Sequence, residues 1–227
     1  MGFDGFADGE GKFFKALAKN QNRDWFLAHK EEFEAGWSGP MKDLLADLRS
    51  AIDRSYAHCD LDEPKVFRIF RDVRFSKDKS PYKTFVAGCI PTKRSAKITE
   101  TPAAIYMHFG TRNVVASGLY MMDAPVLARY RSAVAEDARG KELVKILAKL
   151  EKDGFLADSM HDDVLKRVPK GFDPEHPRGT LLRRKSLGVS YPALPKGVLA
   201  SPRLLPWLVE RAKKVAPLVE WLVYATA

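Results

Sequence analysis

Seven basic side chains within residues 65–83, in the run KVFRIFRDVRFSKDKSPYK, could hold an anion: Lys65, Arg68, Arg71, Arg74, Lys77, Lys79 and Lys83. Guanidinium groups offer forked donors that match a phosphate or carboxylate, and ammonium groups add point charges. Ser76 and Tyr82 add hydroxyls. Only Asp72 and Asp78 oppose the cations, so the segment carries a net charge of +5. A second run, KRVPKGFDPEHPRGTLLRRKS over residues 166–186, carries +5 again. Its cations include Lys170, Arg178, Arg183, Arg184 and Lys185. The whole chain is +9, so everything outside the two segments sums to −1. Charge concentrated in this way repels itself, and an anionic partner would relieve the repulsion. A second reading of the same residues is structural, with Asp72 and Asp78 pairing with the arginines.

Acid–base candidates are few. His176 follows Asp173 and Glu175, and a nearby carboxylate can orient an imidazole and raise its pKa. Asp72 is the other candidate. A histidine in a proline-rich loop equally serves as a hydrogen-bonded anchor. Histidines stand at 29, 58, 108, 161 and 176 without zinc spacing, and His58–Cys59–Asp60 and His161–Asp162–Asp163 are isolated. No metal site is expected. Phosphate-binding glycine loops, the dinucleotide fingerprint and the nucleophile elbow are missing, so no cofactor is expected. Cys59 and Cys89 lie far apart and without activating neighbours in sequence, which predicts two reduced thiols and a cytoplasmic protein. The N-terminal stretch lacks a basic start and an apolar run, and no segment approaches membrane-spanning length. Trp25, Phe67, Phe70, Phe75 and Tyr82 lie among cations, as base stacking requires. Phe67 and Phe70 are nevertheless expected in the core.

These side chains must be positioned by elements that the hydrophobic spacing outlines. Phe13, Phe14 and Leu17 mark a first helix, interrupted at Asn20–Asn22. Trp25, Phe26, His29 and Phe33 mark a second, with Asp24 near its start. Gly36 to Gly39 reads as a break before Pro40 opens a third helix, whose stripe is Leu44, Leu45, Leu48 and Ile52. The period then changes. Val66–Phe70, Thr84–Pro91, Ala103–Phe109 and Asn113–Met121 read as strands, with Gly110–Asn113 as a hairpin connection. Lys93–Thr101 reads as a loop, and Arg74–Lys83 as another. Leu127, Tyr130 and Val134 share one helix face; Leu143, Ile146, Leu147 and Leu150 share the next, with Gly154 just past its end. Residues 169–180 are loop, Leu187–Tyr191 is a further strand, and Ser201–Pro202 opens a long helix through Leu222 with a kink near Pro217. The order predicts a single α+β domain over residues 1–227, with a mainly antiparallel sheet packed by N-terminal, central and C-terminal helices.

The run Phe67–Lys83, FRIFRDVRFSKDKSPYK, resembles the signature of a bacterial and fungal conserved-hypothetical family, catalogued as the domain of unknown function numbered twenty-four sixty-one. The resemblance extends to Asn22–Phe26 with Lys30, and to Pro169–Pro177 with Leu182, Lys185 and Ser186. It spans nearly the whole chain. It implies an α+β single domain and no established activity, so no catalytic residue carries over. The chain departs from the pattern at Val114–Gly118, where relatives are glycine-richer, and a pocket shaped by those glycines would differ here.

The two motifs that carry the resemblance are the two basic segments. They are expected to meet in one electropositive cleft with Arg23 nearby, where Arg23, Arg68, Arg71, Arg74, Ser76, Lys79, Tyr82, Lys83 and Lys185 bind a phosphate-bearing or other anionic ligand. Alternatives are an enzyme on a phosphorylated small molecule or nucleotide, a nucleic-acid-binding module, and basic motifs with a purely structural role. No membrane partner is expected.

Overall fold

A computed structural model describes residues 2–93, 103–158 and 164–227. Helix α1, Lys12–Lys19, buries Phe13, Phe14 and Leu17. Asn22 caps α2, Arg23–Ala28, by accepting the Trp25 amide at 2.9 Å. The short α3, Lys30–Phe33, follows. The break expected at Gly36–Gly39 is instead a π-helical stretch, Glu34–Ser38, that runs directly into α4, Gly39–Ile52. The wider turn brings Trp37 inward to pack on Phe6 and Phe14, so burial of an indole outweighs two glycines. The α4 stripe Leu44, Leu45, Leu48 and Ile52 is fully buried, as its spacing predicts.

Six strands form one sheet: β1 Lys65–Val66, β2 Phe85–Pro91, β3 Ala104–Gly110, β4 Val114–Leu119, β5 Leu156–Asp158 and β6 Leu187–Ser190. Their order is β1-β2-β3-β4-β6-β5, and every pairing is antiparallel. The fold is therefore α+β. The strand expected over Val66–Phe70 is shorter, because the ladder with β2 gives way to single contacts. Phe67 donates its amide to Ala87, and Phe70 faces Tyr82 in an isolated bridge. Asn113 Oδ1 accepts the Gly110 amide and closes the hairpin between β3 and β4. Gly118 has a φ of +145°, and a Cβ there would collide with Leu187 O and Gly188 Cα where β4 meets β6. The close approach of two backbones requires a glycine.

Side chains alternate across the sheet. Val86, Ile90, Ile105, Met107, Phe109, Val115, Leu119, Leu187 and Val189 form the buried face, in one cluster with α4 and the long C-terminal helix α8, Leu204–Thr226. Helix α5, Ala124–Ala135, is capped by Asp123, and α6, Asp137–Lys152, completes the packing. The α8 helix starts two residues after Pro202 and continues unbroken through Pro217. Tyr56 donates to Ala212 O at 2.7 Å, next to the Lys213 carbonyl that Pro217 leaves without its helical donor. A short helix, α7, Gly179–Leu182, interrupts the loop expected at 169–180. Among the described residues no helix is long and apolar enough to cross a membrane. The loop expected at Lys93–Thr101 lies, beyond Lys93, outside the described residues, as does His161–Asp162–Asp163.

Candidate functional site

The first basic segment leaves the end of β1, turns, and returns to enter β2 at Phe85. Its closure is built from its own charged groups. Arg71 pairs with Asp78, whose other oxygen accepts the Ser80 amide and hydroxyl at 2.9 and 2.6 Å. Ser80 first, and then Arg71, hold the Asp78 carboxyl well below the usual range. Arg74 forks onto Asp72, Nε to Oδ1 at 3.0 Å and an Nη to Oδ2 at 2.7 Å, and lowers that carboxyl too. Lys79 donates to Val73 O at 2.9 Å, and Lys83 to Arg68 O at 2.8 Å. The backbone adds Arg71 to Pro81 and Lys83 to Ile69, each at 2.8 Å. Asp72 and Asp78 thus pair within the hairpin, one with Arg74 and one with Arg71, while Arg68 forms no ion pair among the described residues.

Aromatic packing sets the hairpin on the body of the protein. The Tyr82 ring is buried, stacked on Phe26 of α2 at 4.6 Å and against Phe70 at 5.4 Å. Gln21 accepts the Tyr82 amide at 3.0 Å. Tyr82 anchors the hairpin through its ring and its amide. Arg23 is exposed in the first turn of α2. Ser76 is half-buried and donates its amide to Val73. Phe67 and Phe70, expected in the core, are 40% and 49% exposed. Phe75, at the tip, is 96% exposed beneath the Arg74 guanidinium. With β1 only two residues long, the segment lacks a buried face wide enough to take up these rings.

A cleft of about 550 Å³ opens between the hairpin and α1. Its walls include Gln21, Arg71, Asp78, Ser80, Lys83 and Thr84. Lys83 carries the perturbation that matters here. Burial first, and then the neighbouring Arg68 guanidinium, lower its pKa. Among the described residues no carboxylate pairs with Lys65, Arg68, Lys77, Lys79 or Lys83. These five carry the segment's net charge after Arg71 and Arg74 are neutralised.

The second basic segment does not join this cleft. Leu187 is level with Leu119, at the Pro91 and Ala104 end of β2 and β3, whereas the hairpin leaves from the Phe85 and Gly110 end. The six steps along β2 at ~3.4 Å each, and three strand spacings of ~4.8 Å, put the start of β6 after Lys185 about 25 Å from the Phe85 end of β2, beside which the hairpin stands. The single cleft is therefore corrected to two separate basic regions at opposite corners of the sheet. Charge counting along the chain carries no information on strand register, which decides the matter.

Much of the second segment is internal fastening. Arg178, 6% exposed, donates to Val134 O at 2.7 Å, Ala135 O at 2.9 Å and Asp137 Oδ1 at 2.9 Å, closing the corner between α5 and α6. Lys141 and Arg178 hold Asp137 down at about 2. Gly140 makes room, because a Cβ there would collide with Val134 O and Arg178 Nε. His176 Nδ1 accepts the Arg178 amide at 3.1 Å, which is the anchor role. Arg184 donates to Ala157 O.

Sequence reasoning missed a pair on β3. Tyr106 Oη and His108 Nδ1 lie 3.0 Å apart, and Phe85 stacks on the imidazole at 4.3 Å. Burial, aided by Arg112, lowers the His108 pKa to about 4, so the ring is neutral near pH 7. Burial pushes Tyr106 up to about 12. The phenol therefore donates, Nδ1 accepts, and the imidazole proton sits on Nε2. The signal was present in the alternation of Ala104–Gly110, which puts residues 106 and 108 on one face. Both thiols are buried. Burial raises Cys59 to about 12 and raises Cys89 as well, which makes them poor nucleophiles. Among the described residues no group of His, Cys, Asp and Glu is arranged to hold a metal.

Comparison with known families gives a match over most of the chain. The model of a conserved hypothetical protein family, DUF2461, covers residues 11–221. The chain belongs to the DUF2461 family. No curated protein and no solved structure matches it. Both basic segments and the β3 pair fall inside the DUF2461 region.

Proposed function

We propose that this DUF2461 protein binds a phosphate-bearing ligand at the base of the basic hairpin, where Arg68 and Lys83 take the anion. The observation that carries the reading is the Lys83–Arg68 pair. Two cations stand together, one of them half-buried, and neither forms an ion pair among the described residues, although Asp72 lies near enough to feel the Arg68 charge. Such a pair destabilises the free protein, and an anion would relieve both the repulsion and the desolvation. Ser80, Thr84 and Arg71 line the adjoining cleft and would add donors once Arg71 turns from Asp78. Lys79 and Arg74 would extend the positive field, while Lys185 would stand outside it.

Arg68→Ala is the clean probe, because the Arg68 side chain is exposed and holds no described hydrogen bond. Titration with inorganic phosphate, tripolyphosphate and a nucleoside triphosphate should raise the wild-type Tm, by about 2.7 kcal/mol of stability at 100-fold over Kd. Arg68→Ala should lose most of that shift while keeping the ligand-free Tm within a few degrees. An equal shift in both proteins would place the anion elsewhere, and no shift with any of the three would remove the proposal.

A further inference from the structure

The face of the sheet opposite the core is half covered by aromatic rings next to the hairpin. Phe67, His108 and Ala87 stand in one row across β1, β2 and β3, because Phe67 bonds to Ala87 and Ala87 pairs with His108. Tyr106 stands in the next row with Cys89 and Ala116. The Phe85–His108 centroids are 4.3 Å apart, Tyr106–His108 5.6 Å and Phe67–Tyr106 6.3 Å, so four rings form one continuous patch. Ala87, Cys89 and Ala116 fill the floor between them with small side chains.

This patch is rimmed by positive charge. Lys83 Nζ lies 5.8 Å from the Phe67 centroid, over the ring. Arg68 is its neighbour, Arg112 is felt by His108, and Lys65 by Cys89. Among the described residues, the charges that act on Lys83, His108, Cys89 and Tyr106 include no carboxylate, while Asp72 feels Arg68. Aromatic faces on a sheet between rows of cations suit one kind of occupant: flat bases joined by phosphates. An acidic peptide would satisfy the rim without using the rings, and an apolar partner would leave the rim uncompensated. At the hairpin tip the exposed Phe75 ring lies beneath the Arg74 guanidinium, a second pairing of ring and cation.

We propose that the face of β1–β3 opposite the core is a stacking platform for single-stranded nucleic acid, with bases on Phe67 and Tyr106 and phosphates along Lys65, Arg68 and Lys83. The proposal rests on the phosphate reading for its rim and adds the rings as its own element. The neutral His108, with its proton on Nε2, supplies a donor rather than a charge, which suits a base edge or a sugar hydroxyl.

Fluorescence anisotropy of a labelled single-stranded 20-mer, with unlabelled tripolyphosphate as competitor, separates the parts. Phe67→Ala should weaken oligonucleotide binding about 5- to 150-fold, the range for one base–aromatic stack. It should leave tripolyphosphate competition unchanged, and Phe67→Trp should restore binding with quenching of its own fluorescence. Arg68→Ala should weaken both ligands. For roughly three neutralised phosphates, raising salt from ~50 to ~200 mM should cost about 20-fold in affinity. Oligonucleotide affinity identical in Phe67→Ala and wild type, or no better than that of tripolyphosphate, overturns the platform and leaves the phosphate site standing. Failure of both ligands to bind overturns both.

Discussion

His108 shows how one side chain's surroundings set its chemistry. In the unfolded chain an imidazole titrates near pH 6.5. In the fold, burial and Arg112 bring it to about 4, and Tyr106 donates to its Nδ1. Between those two values the unfolded state binds the extra proton, so acidification favours unfolding. Stability from this site is complete above about pH 6.5 and is lost as pH falls towards about 4. Thermal melts from pH 7.5 to 4 should show a decline in wild type that is shallower in His108→Asn. Parallel curves would mean that the imidazole is not held neutral. Asp137, Asp72 and Asp78, all held below the usual carboxylate range, add a decline that begins below about pH 5 in both proteins alike, so the difference between the two curves isolates the imidazole.

At the scale of elements, two loops of equal net charge do different work. The hairpin segment 65–83 uses two acids to neutralise two arginines and leaves its other cations without an ion-pair partner among the described residues. The 166–186 segment turns Arg178 inward to satisfy carbonyls at the end of α5. Arg178→Ala would strand Val134 O and Ala135 O in a buried corner. The loss should be about 2–4 kcal/mol, which lowers Tm by roughly 5–15 °C in a chain of this size. Arg178→Lys should recover only part, because one ammonium cannot fork to two carbonyls and Asp137. Differential scanning calorimetry checks both. A surface-like loss below about 0.5 kcal/mol would show that water reaches this corner.

For the whole molecule, the sheet acts as a spacer between two positive regions. Spin labels at Lys77→Cys and Lys185→Cys should report a separation of at least about 25 Å by double electron–electron resonance, from strand rise and spacing. A distance below about 20 Å would restore the single cleft. Cys59 and Cys89 should stay unlabelled under mild conditions, because both are buried and their thiolates are disfavoured. The separation also confines the proposed ligand to the hairpin and the sheet face beside it.

The sequence by itself determined the α+β class, the buried stripe of α4, the β3–β4 hairpin, the basic runs and the DUF2461 resemblance. Each is a local property: periodicity, turn chemistry and charge count are properties of neighbours along the chain. Tertiary structure decided which cations kept their charge unopposed, because that depends on Asp72 and Asp78 folding back onto Arg74 and Arg71. It decided that Phe67 and Phe70 face outward, since a hydrophobic residue is buried only if another element arrives to cover it. It also decided that the two basic runs lie apart, because strand register is set by pairing across the sheet.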